Sequence, residues 1–562
     1  MANRPGRAGW LFPSLHGYSP SQLPRDTVAA LILTAIAVPG QLATARLMGL
    51  PPMVGLFAFA AGSLAFAAFG ANRFASVAAD STIAPIMAGA LALMVASGTP
   101  HYAALAAILA LLVGVILLVA GVFRAGWIAD LLSIPVTVGF LAGIAVHIIV
   151  SQLPEMLGVD PPGQGHVLWQ LLAILEALPR AKLFPILIGF GVLACTIIAE
   201  WFSPCIPGPL IGVLTSGIAV WWLALDQHGV SVLGALPIAL PSITLSLPTW
   251  NEFVRLVPLS LTVALVCMMQ TAAVVRSFPS DPKQPEDVSR DFAAVGAGSI
   301  LAGVTGSFAV DASPPSTAAV AESGGTSQVC SLLAIAIIAA IVLLAGGAFA
   351  FVPQAALSGV LVYIGLRIVR VATIRQIYRC GGNEILLVIA SAALVVIMPI
   401  QTGVAMSIGL SLLNSLYIVA RPDSAVLARV PGTTVWWDLP AGEAGEHEPG
   451  ALVFAPGAPI NFTNAFYIRG KLMDAIAAMH EPCRLVVVEA NGIINFDFTG
   501  ARIFQQVVSE LRERGIDVVI ARLESEHARR AAERSGLIAT LGQDHVFRSV
   551  EDAIQDHKRR SA

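Results

Sequence analysis

The chain has 562 residues, of which 56% are hydrophobic and only 12% charged, against roughly 25% charged in ordinary soluble domains. The net charge of −3 and the lack of any basic block leave no footprint for nucleic acid. The charge deficit is uneven: residues 27–420 are nearly charge-free, whereas 421–562 have ordinary soluble composition, so the two regions live in different solvents.

Residues 1–26 are polar and Pro-rich. They contain no apolar run ending at a cleavage site, so targeting is expected from the first membrane helix. Apolar segments then follow at 27–48, 53–70, 75–96, 103–123, 127–152, 183–201 and 207–225. A second set runs at 256–276, 291–304, 313–322, 329–350, 354–370, 384–400 and 402–420. A full crossing needs about 20 apolar residues, which gives about 14 segments and leaves 291–304 and 313–322 short. Short, Pro- or Gly-interrupted segments in corresponding halves point to a transporter site. With the N-terminus inside, Arg73, Arg124, Arg276, Lys283, Arg290, Arg367, Arg370, Arg375 and Arg379 fall on the cytoplasmic side, and Arg180, Lys182 and Arg255 outside. An even number of crossings returns the tail to the cytoplasm. Seven segments per half is odd, so the second half is expected inverted in the membrane. The six cysteines form no CxxC pair and read as small packing residues.

Two acidic residues interrupt the apolar region. Asp80 lies in FASVAADSTIAP and Asp311 in GSFAVDASPPSTA. Each is followed by small hydroxyl residues (Ser81 and Thr82, or Ser313) and then by Pro85 or Pro314. The pattern suits an extended strand feeding a half-helix, whose N-terminus offers free N–H groups and a positive dipole end to an anion. Each carboxylate fits either an N-cap or a cavity-lining, substrate- or proton-linked group. Arg46 either snorkels to the interface or projects into a cavity. Gln41 and Gln270 can bond an oxyanion or join helices. His147, in AGIAVHIIVSQLPE, is either packed or a proton relay.

Beyond a Pro-, Gly- and Glu-rich linker at 421–450, strands are expected at ALVFAPG, INFTN, 484–489 and 517–521. Helices are expected at 464–479, 501–514 and 525–535, which gives an α/β domain.

With LPPMVGLF at 50–57, SIPVTVGFLAGIAV at 133–146, Gly303–Phe308, Thr317–Ala318 and DFTG at 497–500, the whole chain resembles the SulP (sulfate permease) family. In that motif Pro39 would break the first helix. The resemblance implies a polytopic α-helical protein with a 7+7 inverted repeat, split into core (segments 1–4 and 8–11) and gate. A cytoplasmic STAS domain, 451–562, would follow the 27–420 transport domain. It places an anion among Gln41, Asp80, Ser81, Gln270, Asp311, Ala312 and Ser313, moved by an elevator-like motion in a homodimer of the inner membrane. Three departures matter. Gln270 stands where the family commonly has an acid, which puts sodium coupling in doubt. Ser316 stands where an arginine is usual, and Asp311 where a small or hydroxyl residue is usual. A like charge beside a bound anion disfavours an ionised carboxylate, so Asp80 or Asp311 is expected to carry a coupling proton. Thr499 matches the phosphorylatable position of STAS regulators, or else is the N-cap of the following helix.

The expected function is secondary-active transport of a small anion of the sulfate, bicarbonate or dicarboxylate class. No cofactor, metal site or enzymatic activity is expected. A passive anion channel, a nucleobase permease and a transport-inactive sensor signalling through its tail are the competing readings; the tail weighs against the permease. No GxxxxGK[ST] loop supports an ATP-driven pump.

Overall fold

The computed structural model describes residues 11–15, 18–131, 133–160, 167–203, 206–234, 248–280, 286–381, 384–439 and 445–561. Arg4, Arg7, Cys205, Lys283 and residues 440–444 of the expected linker lie outside them. Two compact units divide the chain, Met1–Ser411 and Leu412–Ala562.

The first unit begins with α1, Leu23–Leu47. Pro39 sits inside this helix without ending it, contrary to the expected break. A proline removes one backbone bond and crowds the preceding turn, but a membrane helix packed against protein tolerates that loss. The helix stops instead at Gly49, whose φ of +74° suits glycine. Tyr102 donates its hydroxyl to the Met48 carbonyl at 2.7 Å there. Pro51 and Pro52 then open α2, Pro52–Phe69. A two-residue strand β1, Val77–Ala78, leads to α3, Ala84–Ala92, and then α4, Pro100–Val122, capped by Thr99. Next come α5, Ile134–Leu157, α6, Val167–Ala177, α7, Leu183–Phe202, and α8, Gly208–Leu223. Segment five lies several residues later than expected because Ser133 caps it and Gly158, in the left-handed conformation, ends it.

The second half repeats this order. It runs α9, Trp250–Ser277, α10, Val288–Val304, β2, Asp311–Ala312, α11, Pro314–Glu322, and α12, Val329–Ala345. It closes with α13, Gln354–Ile368, α14, Val371–Cys380, α15, Glu384–Ile397, and α16, Ile400–Ala420. Among the described residues, eight helices are long and apolar enough to cross a membrane, with three shorter apolar helices beside them. Together with α10 and the nine-residue α3 and α11, they supply a helix for every expected segment. Two helices, α6 and α14, were not expected. They occupy corresponding places in the two halves, between the fifth and sixth segments of each. In α14, Ile374, Ile377 and Tyr378 share a face, with Gln376 and Arg379 across the helix from it, which is an amphipathic rather than a spanning pattern.

Small residues allow close helix contact. A Cβ on Gly296 of α10 would lie 2.7 Å from the Gly114 carbonyl oxygen of α4, and one on Gly303 would lie 2.7 Å from that of Ala107. Such side-by-side approach is how helices pack where lipid removes the hydrophobic drive between them.

The second unit holds a five-stranded sheet in the order β3-β6-β7-β8-β9. Its strands are β3, Ser424–Val426, β6, Ala451–Pro456, β7, Leu485–Glu489, β8, Asp517–Ala521, and β9, Val546–Phe547. All neighbours are parallel except β3 against β6. A hairpin of β4, Ala428–Arg429, and β5, Trp436–Trp437, lies between β3 and β6. Helices α17, Ala465–Ala477, α18, Phe498–Glu513, α19, Glu526–Arg534, and α20, Leu537–Leu541, accompany the sheet, and α21, Val550–Ser561, ends the unit. Side chains of α17 to α20 pack in one apolar cluster with the sheet, and Val550, Ala553 and Ile554 of α21 in another. The segment read as a linker therefore carries strands, in pieces two or three residues long that composition does not reveal. INFTN is not a strand: Asn461 and Asn464 side chains bond the local backbone and turn the chain.

Candidate functional site

β1 and β2 pair antiparallel, Val77 with Ala312 and Ala78 with Asp311. Equivalent bonds hold each strand. Ser63 Oγ of α2 donates to the Val77 carbonyl at 3.1 Å, and Ser299 Oγ of α10 to that of Val310 at 3.2 Å. Gln41 Nε2 of α1 donates to the Ala79 carbonyl at 2.9 Å, and Gln270 Nε2 of α9 to that of Ala312 at 3.4 Å. Val77 is thus equivalent to Val310, and Ala79 to Ala312. It follows that Asp80 corresponds to Ser313, and Asp311 to Ala78. The two aspartates do not form a matched pair across the halves, as their similar sequence surroundings suggested; they stand two positions out of step.

Both strands feed short helices, and a cavity of about 300 Å³ lies where α3 and α11 begin. Gln41, Asp80, Ser81, Gln270 and Ser313 line it. Asp311 and Ala312 are not among its lining residues. Asp311 is fully buried, its Oδ1 accepting from Thr271 Oγ1 at 2.9 Å and from the Ala312 N–H at 2.7 Å. Its Oδ2 is buried without a hydrogen-bond partner.

Asp80 Oδ1 accepts the Thr82 N–H at 2.8 Å, the short turn that launches α3. Thr82 Oγ1 lies 2.5 Å from Asp80 Oδ1 and 2.8 Å from Gln270 Oε1, and its single proton serves one of them. Gln41 also accepts the Ala79 N–H at 3.1 Å, so both ends of its amide brace the strand. On α11, Ser313 Oγ lies 3.3 Å from Ser316 Oγ. Pro314 and Pro315 have no N–H, so this helix start offers an anion its dipole, one early N–H at Ser316 and two hydroxyls.

The remaining wall contains residues that the sequence reading did not assign to a site. Thr44 and Thr82 line the cavity from the α1 and α3 side, and Tyr363, Arg367 and Arg370 from α13 and its end. The arginines had been read only as markers of the cytoplasmic side. For Arg367, its place four residues after Tyr363 on α13 was the available signal. Arg46 is elsewhere: its Nη2 donates to Gln354 Oε1 of α13 at 2.9 Å and to Glu155 Oε1 of α5 at 3.4 Å. His147 Nε2 lies 2.7 Å from the Val395 carbonyl oxygen, joining α5 to α15. In the tail, Asp497 rather than Thr499 caps α18, its Oδ1 accepting the Gly500 N–H at 2.6 Å; Thr499 is exposed in the first turn.

The family model described as the sulfate permease family matches residues 23–391, and that of the STAS domain matches 445–553. A probable sulfate transporter of Mycobacterium tuberculosis is 32% identical over 556 residues, covering 98% of this chain and 99% of that one. The chain belongs to the sulfate permease family. Probable sulfate transporter 3.3 of Arabidopsis thaliana is 22% identical, with 97% of this chain and 90% of that one covered. Murine Solute Carrier 26 family member A9, an anion transporter, superposes with a TM-score of 0.88 at 17% identity, covering 97% and 93%. The transmembrane domain of the cyanobacterial bicarbonate transporter BicA gives a TM-score of 0.60 at 18% identity, covering 70% and 98%. As a sulfate permease family protein with a STAS domain, the chain is a multi-pass membrane anion transporter and not an enzyme.

Proposed function

We propose that this sulfate permease homologue is a proton-coupled secondary transporter of a small oxyanion, sulfate foremost, held between the starts of α3 and α11. The observation that carries the reading is the cavity lined by the residues that lead into both helices, Ser81, Ser313 and Ser316 among them. Relatives named as sulfate transporters support sulfate as the substrate. Asp80 supports the coupling. A sulfate dianion beside an ionised Asp80 meets like-charge repulsion, and a proton on Asp80 removes it, so anion and proton travel together. Asp80 takes this role rather than Asp311, because only Asp80 lines the cavity. Alternating access follows from movement of α1–α4 and α9–α12 against the remaining helices, in an elevator-like manner. The exposed Arg367 and Arg370 mark the cytoplasmic mouth; the STAS domain is cytoplasmic, with Thr499 its phosphorylatable position.

The test is uptake of radiolabelled sulfate into proteoliposomes with and without an inward proton gradient. Wild-type protein accumulates sulfate only with the gradient. Asp80→Asn loses the gradient's effect. Equal uptake in both conditions by the wild type contradicts the coupling.

A further inference from the structure

Anion transport needs positive potential at the site, and α11 supplies little hydrogen bonding because of Pro314 and Pro315 and no fixed charge at Ser316. The cations of the wall come from the opposite side. Tyr363 and Arg367, four residues apart on α13, both line the cavity. Both also engage one carboxylate, Glu200 near the end of α7: Tyr363 Oη donates to Glu200 Oε2 at 2.6 Å, and Arg367 Nη1 forms an ion pair with Oε1. Glu200 itself is not among the lining residues.

We propose that Arg367 is the residue that selects for an anion in this cavity, and that Glu200 is its resident competitor. This rests on the transport reading above. The guanidinium carries five N–H donors in a planar fork that fits a carboxylate or a sulfate equally. With the cavity empty, Glu200 holds the fork. An entering oxyanion draws donors of Arg367 to itself. Glu200 is not left unpartnered, because the Tyr363 hydroxyl remains on its other oxygen. The competition weakens anion binding, and so lets the anion leave again once carried across.

The experiment measures KM for radiolabelled sulfate in proteoliposomes, and sulfate affinity of the purified full chain by calorimetric titration. Wild type, Arg367→Gln, Arg367→Lys, Glu200→Gln and the double variant Arg367→Gln/Glu200→Gln are compared, each checked for a monodisperse elution profile. Arg367→Gln raises KM about tenfold, and Arg367→Lys falls between it and wild type. Glu200→Gln lowers KM and steepens its dependence on ionic strength. The double variant resembles Arg367→Gln. A pair serving only to brace α7 against α13 gives the opposite pattern, with both single variants impaired alike and the double variant recovered, and that result overturns the proposal. An unchanged KM in Glu200→Gln also overturns it. If the wild type binds sulfate but does not move it, and affinity still shifts in opposite directions in the two single variants, only the transport reading fails. If the wild type neither binds nor moves sulfate, both fail.

Discussion

Gln41 lines the cavity, yet both ends of its amide bind the backbone at Ala79. Residue type and depth in the membrane made Gln41 and Gln270 visible in the sequence. Their partners were not visible, because those partners are the backbone of Ala79 and Ala312, in or beside strands two residues long, and the Thr82 hydroxyl. The same limit affected the aspartates. Asp80 and Asp311 look alike in sequence, each ahead of small residues and a proline, and the equivalent bonds of Ser63 and Ser299, and of Gln41 and Gln270, show them out of step. A two-residue offset is small in sequence but moves a carboxylate from the cavity wall to a buried contact with Thr271. Asp311→Asn, which keeps the size and one acceptor oxygen, is therefore expected to leave the pH profile of sulfate uptake like that of the wild type, while Asp80→Asn flattens it. The same flattening in Asp311→Asn would return the coupling role to that residue.

Long apolar helices with Pro or Ser/Thr starts were legible, and Thr99, Ser133 and Thr249 cap the helices they precede. Helices α6 and α14 were not: at 11 and 10 residues both fall short of a membrane span, and a hydropathy window averages the two faces of amphipathic α14. The short strands of 421–450 were hidden by the glycines, prolines and glutamates around them. Between elements, Arg46 ties α1 to α5 and α13 through Glu155 and Gln354. In the proposed movement this link joins a moving helix to two static ones, and it must break as the cavity turns to the other face. A partly exposed pair of this kind contributes about 1 kcal/mol, roughly a fivefold change in population. Arg46→Gln should accordingly increase, about fivefold, the rate at which a membrane-impermeant thiol reagent applied from the extracellular side labels a cysteine placed at Ser81. An unchanged rate would mean that the link does not hold the cavity closed on that side.

At the scale of the molecule, the uneven charge content separated an apolar helical region from an α/β tail, and the motifs at 50–57 and 133–146 gave the family. The repeat was less legible. Ala-Gly-Ser occurs at 61–63 and again at 297–299, with Ser63 and Ser299 making equivalent bonds to the two strands, but three small residues are too common to reveal an inverted repeat alone. The central claim is that an oxyanion sits where α3 and α11 begin. The most direct measurement is the rate at which a thiol reagent labels Ser316→Cys in the full-length protein, with Cys195, Cys205, Cys380 and Cys483 changed to serine and the buried Cys267 and Cys330 kept. The account predicts that sulfate slows this labelling in a saturable way and that gluconate at equal ionic strength does not. Labelling that is indifferent to sulfate, in protein that still transports it, would place the anion elsewhere.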